Sequence, residues 1–152
     1  MTEPSIYLLQ AKANEESAKI AQKDFPEWAI IMYFYAALHL INDYAYERNQ
    51  LDELEGHSSR RNYVKTIARD TGFKDLIARY DELFGESLLA RYLEKEEYNG
   101  EFTELGCTAR EHYSKYTVKD FEKIDDKLQI IKKRLKEARI YYEGKEKGKK
   151  IK

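Results

Sequence analysis

Residues 28–42 form an uncharged run of 15 residues, Trp-Ala-Ile-Ile-Met-Tyr-Phe-Tyr-Ala-Ala-Leu-His-Leu-Ile-Asn, and no other feature constrains the fold as tightly. As a helix this run has no polar face, so neighbouring elements must cover it on several sides. It is shorter than the roughly 18–20 apolar residues that span a bilayer. The run therefore predicts the central helix of a bundle, over residues 27–49, with Ala36 and Ala37 small enough for a close crossing. Pro26 and Glu27 suit its first turn, where a missing N–H is harmless and negative charge is favoured.

The remaining chain supplies helices to surround it. A stripe of Ile6, Leu9, Ala13, Ser17 and Ile20 predicts an amphipathic helix over about residues 3–23, with that stripe inward. Ser58 or Ser59 is expected to cap a third helix that reaches Asp70 and turns Val64, Ile67 and Ala68 inward. A fourth, over residues 74–93, would bury Ile77, Tyr80, Leu83 or Phe84, Ser87 and Leu88, although Gly85 interrupts the pattern. Residues 94–116 have no clean period and contain the turn dipeptide Asn99-Gly100, with Ala109 to Tyr113 the best short helical turn. Thr117 and Asp120 open the last helix as a capping box. Its core positions, from Val118 and Phe121 to Leu135 and Ala138, recur at threes and fours, and the pattern carries to Tyr142.

The expectation is an all-α antiparallel bundle of about five helices in one domain, residues 1–142, followed by a frayed basic tail, residues 143–152. The 152 residues suit one domain. Only seven Gly and two Pro weigh against all-β and disordered chains. Thirteen Tyr and six Phe supply burial that a disordered chain lacks. Residues 132–152 hold ten Lys or Arg and three Glu, whereas the first 131 residues carry 17 basic and 25 acidic side chains. The single Cys107 excludes an internal disulfide and a multi-Cys zinc site. With no leader pattern at the start of the sequence, a cytoplasmic location and no membrane partner are expected.

Few side chains can do chemistry. Tyr35, His39 and Asp43 stack at four-residue spacing on one helical face, with Asn42 adjacent. They read either as a buried polar triad that sets a tautomer or as a satisfied core histidine. His57, Arg60 and Arg61 gather at a helix start, where the backbone already favours anions. Two guanidiniums there offer bidentate phosphate geometry, and the imidazole offers acid/base chemistry without a metal. The alternative is that both arginines are surface groups paired with Glu53 and Glu55. Ser87 and Arg91 share a face, and an inward Arg91 would need a partner such as Asp43 or an acidic loop residue. Arg110, His112, Tyr113 and Tyr116 could stack bases, but Glu94, Glu96, Glu97, Glu101 and Glu104 make that loop acidic. There is no glycine-rich phosphate loop, no Gly-x-Ser-x-Gly and no His pair at i, i+4, so no metal or cofactor is expected.

The order of these segments resembles the HEPN family of small helical bundles over about residues 5–140. The likeness rests on the alanine-spaced first helix, Trp28-Ala29, the run Tyr33-Phe34-Tyr35-Ala36-Ala37-Leu38-His39, His57 at a helix start, Ser87 through Arg91-Tyr92, and the last amphipathic helix. The resemblance implies a bundle of four or five helices, a homodimer, and a setting in toxin–antitoxin, phage-defence or RNA-processing systems. Many such domains are metal-independent ribonucleases with an Arg-x(4–6)-His motif. That motif is missing: eight residues separate Arg48 from His57, and one separates Arg110 from His112. The expected function is a non-catalytic binding domain for RNA, a nucleotide or a partner protein. The alternative is a metal-independent endoribonuclease with His57 and Arg61 as catalytic groups and Arg60, Arg61 and Arg91 on phosphate.

Overall fold

The computed structural model describes residues 3–96 and 101–151. Helices α1 (Ile6–Ala21) and α2 (Pro26–Glu47) are followed by a single 3₁₀ turn, Leu51–Glu53, and then by α3 (His57–Thr71) and α4 (Lys74–Tyr92). Strands β1 (Glu94–Glu96) and β2 (Phe102–Glu104), the short α5 (Ala109–Tyr113) and the long α6 (Val118–Ile151) complete the chain. The protein is an all-α bundle with one small antiparallel hairpin, in which Glu94 faces Glu104. The expected Asn99-Gly100 turn lies outside the described residues.

Helix α2 is enclosed as its composition demands. It packs against α1, α4, α5 and α6, and Ile30, Tyr33, Phe34 and Ile41 are almost wholly buried. Tyr80 and Leu83 of α4, and Leu128 and Ile131 of α6, meet it in the same core. The hydroxyl of Tyr33 leaves this core toward α1, where it accepts a hydrogen bond of 2.8 Å from Gln22.

Helix α1 turns the other way from the expected stripe. Ala11 and Ala18 are its buried positions, while Ile6, Leu9 and Ile20 are exposed, Ile20 at 82%. The period of the pattern is right and its phase is not. Small residues let the α1 backbone approach the alanines of α2 closely, so the bulkier stripe is left outside.

The helix ends explain the boundaries. Ser5 caps α1 by accepting from the Leu8 N–H, and its hydroxyl donates to Asp43 of α2. Helix α3 begins directly after Gly56 with no side-chain cap, so neither Ser58 nor Ser59 has the expected capping role. It ends at Gly72, whose φ of +80° is a left-handed conformation that favours glycine. Thr117 and Asp120 form the capping box of α6 through reciprocal bonds of 2.8 and 3.2 Å. Helix α6 then runs through Tyr142 to Ile151, where a frayed tail was expected. Lysines near a helix C-terminus are favoured by the helix dipole, which suits this continuation.

Two glycines give opposite expectations. A Cβ on Gly85, within α4, would meet nothing within 4 Å, so Gly85→Ala should stabilise the protein by about 0.5–1 kcal/mol. Gly72→Ala forces a side chain into the left-handed region and should destabilise it by about 1–2 kcal/mol. Urea denaturation of the two variants checks both signs.

Candidate functional site

The N-terminus of α3 brings His57 over the exposed edge of the aromatic core. Its ring lies 5.3 Å from that of Phe84 and 6.1 Å from that of Phe34. Arg60, one turn on, donates from Nε to Asn42 Oδ1 of α2 at 3.2 Å and lies beside the Tyr80 hydroxyl. From α4, Arg91 reaches the same place. It donates to Tyr35 Oη at 3.1 Å and to the Ser87 hydroxyl and carbonyl at 3.1 and 3.2 Å. Its guanidinium stands 5.6 Å from the Tyr35 ring centroid and 5.9 Å from that of Phe34.

Neither arginine meets a carboxylate among the described residues. Arg91 therefore pairs with neither Asp43 nor an acidic loop residue among those described. Its charge is met by hydroxyls, a carbonyl and aromatic faces, which hold a guanidinium without neutralising it. Both imidazoles nearby feel the result. The His57 pKa is lowered from 6.5, first by desolvation and then by Arg60 and Arg91. That of His39 is also lowered, first by desolvation and then by Arg60. Two cations and two imidazoles biased toward the neutral form thus meet on one patch of α2, α3 and α4.

Arg61 does not join them. One residue along α3 it has rotated about 100°, toward α4, where Nε and Nη2 clamp both oxygens of Asp81 at 2.8 Å. This bidentate pair gives Arg61 a carboxylate partner on α4, whereas Glu53 and Glu55 are the alternative partners that the sequence offers.

Tyr35, His39 and Asp43 share a face but do not form a hydrogen-bonded relay. Tyr35 bonds Arg91 of α4, and Asp43 accepts from Ser5 at the start of α1. His39 Nδ1 is buried with no partner. Asp43 is buried, whereas Tyr35 and His39 are only half-buried.

The loop residues have structural partners too. Arg110 Nε donates to both oxygens of the buried Glu27, at 2.9 and 3.2 Å, and pins α5 to the start of α2. Tyr113 and Tyr116 both donate to the Glu86 carboxylate of α4. Burial and that carboxylate push both phenols well above their usual range. No local pattern reveals this paired clamp, because Glu86 lies 27 and 30 positions before the two tyrosines.

Among the described residues no cluster of three or more His, Cys, Asp or Glu is placed to hold a metal. None of their helices is long and apolar enough to cross a membrane. No family model, curated protein or solved structure matches the chain. Its chemistry is read from the site alone.

The shared electrostatics can be checked directly. In an NMR titration His39 and His57 should both have midpoints below 6.5. Arg60→Ala should raise both, whereas Arg91→Ala should raise only that of His57. Because an unfolded imidazole binds protons more readily, the stability these histidines confer is full above 6.5 and is lost as pH falls toward their lowered values.

Proposed function

We propose that this chain is a HEPN-like domain that binds the phosphate backbone of RNA as a homodimer. The observation that carries this reading is the convergence of Arg60 and Arg91 beside His57 with no carboxylate among the described residues to balance them. Guanidiniums match phosphate oxygens in charge and in planar geometry. Fixing them beforehand, on Asn42 for Arg60 and on Tyr35 and Ser87 for Arg91, lowers the ordering that binding requires. The same likeness to HEPN domains underlies the proposal that the protein works in a toxin–antitoxin or defence system.

The dimer is supported by a line of partly exposed side chains along α2. Trp28, Met32, Tyr35, His39 and Tyr46 follow one line along the helix, with Trp28 and Tyr46 each more than half exposed. Trp28 and Tyr46 lie nine residues to either side of position 37, so a second copy running antiparallel would set Trp28 against Tyr46. Such pairing would bring both cationic patches to one seam. Met32→Glu should convert a dimer to a monomer in light scattering.

A second reading has its own support. His57 stands beside Arg60 and Arg91 and is held toward its neutral form, as a base that takes a proton from a ribose 2′-hydroxyl must be. The attacking oxygen would displace the 5′-oxygen and leave a cyclic phosphate, with the guanidiniums stabilising charge on phosphorus. Arg61, bound to Asp81, has no part in this version.

Fluorescence anisotropy with single-stranded RNA tests the binding reading. Arg60→Ala with Arg91→Ala should weaken binding by about tenfold or more and flatten its salt dependence by about two charges. Arg61→Ala should leave both near wild type, and unchanged binding by the double variant would overturn the reading. Incubation of the same RNA with EDTA decides on catalysis. Cyclic phosphate products that disappear in His57→Ala select the nuclease, and intact RNA selects the binding domain.

A further inference from the structure

We infer that the groove adjoining this patch holds a nucleobase and selects guanine through Glu86, an inference that rests on the phosphate-binding reading. The groove encloses about 900 Å³, and Phe84, Glu86, Leu88, Leu105, His112 and Tyr116 line it. Phe84 joins the two sites, because its ring also lies 5.3 Å from that of His57. A nucleotide with its phosphate on Arg60 and Arg91 would extend its base across Phe84 into a groove whose rings and aliphatic side chains are bordered by the Arg61–Asp81 and Lys127–Glu82 pairs. Unpaired bases stack on such rings and are read by hydrogen bonds to their edges.

The reading group is Glu86. Other carboxylates of the groove are matched to cations, Asp81 to Arg61 and Glu82 to Lys127. Glu86 has no cation among the described residues and is held instead by the hydroxyls of Tyr113, at 2.7 Å, and Tyr116, at 3.1 Å. Two donors fix the direction of the carboxylate and leave it lone pairs to spare. An ionised carboxylate only accepts, so it favours a base with two adjacent N–H donors on its pairing edge. Guanine has them at N1 and N2. Adenine and cytosine set an acceptor beside their amino group, and uracil flanks its one N–H with carbonyl oxygens.

Gly85 leaves the floor of the groove bare. It lies in α4 between Phe84 and Glu86, lines the same groove and adopts ordinary helical backbone. No neighbour in the protein needs its missing side chain, since a Cβ there would meet nothing within 4 Å. Glycine is disfavoured inside helices, and close approach of a ligand to the backbone is one use that offsets this. The bare strip between an aromatic ring and an oriented carboxylate is where a flat heterocycle would lie.

Titration of ¹⁵N-labelled protein with guanosine and adenosine, which carry no phosphate, tests the groove apart from the patch. Guanosine should shift the Gly85, Glu86 and Leu105 amides and bind about tenfold more tightly than adenosine. Glu86→Gln should erase that preference. Gly85→Ala should weaken guanosine binding while raising the melting temperature, a combination that misfolding cannot produce. Equal shifts from the two nucleosides would overturn guanine selection, and no shift at Gly85 would overturn the groove itself. Guanosine monophosphate completes the test. Tighter binding than guanosine, lost in Arg60→Ala with Arg91→Ala, supports the joined site. Guanosine binding without a gain from phosphate would leave the base slot standing and overturn the phosphate reading.

Discussion

Helix α2 carries no charge between Glu27 and Asp43, and α1, α4, α5 and α6 are arranged around the need to bury it. Full burial of one large apolar side chain contributes about 1.5–3 kcal/mol, whereas an exposed ion pair contributes about 0–1 kcal/mol. Ile30, Phe34, Ile41 and their partners therefore decide which helices pack together. Pairs such as Arg134 with Asp75 and Lys132 with Glu15 fix orientation at the rim. Glu27 is the exception, since burial of its charge makes the Arg110 contact a requirement for α2 to start where it does.

The candidate site follows from how that enclosure ends. Phe34 is wholly buried, yet its ring forms the base on which His57, Phe84 and Arg91 stand. Aromatic faces can hold guanidiniums without neutralising them, so the core edge becomes a cationic surface in a protein whose formal net charge is −1. The long-range balance of charge thus says little about this patch. Local positioning of two arginines by Asn42, Tyr35 and Ser87 decides its character.

Much of this architecture is legible in the sequence where one residue pattern has one physical outcome. The apolar run of α2, the Thr117–Asp120 box and the core line of α6 from Phe121 to Ala138 have no competing arrangement, whereas Val118, expected inward, is exposed in the first turn of α6. The phase of α1 is ambiguous because two stripes compete, and close packing through Ala11 and Ala18 wins over the larger Ile6, Leu9 and Ile20. His57, Arg60 and Arg91 are recognisable from their helix positions. The division of labour between Arg60 and Arg61 is not, because it depends on Asp81, twenty residues away on α4. Glu86 is equally hidden, since its role exists only once α5 folds back on α4.

Arg60 and Arg91, beside His57 and without a carboxylate partner among the described residues, are the groups proposed to meet phosphate. The most direct measurement is the His57 titration midpoint, followed by NMR, with and without saturating inorganic phosphate. A bound phosphate anion would offset the two guanidiniums that add to desolvation in lowering this midpoint, so an upward move with phosphate is predicted that is absent in Arg60→Ala with Arg91→Ala. A His57 midpoint that phosphate leaves unchanged would contradict it.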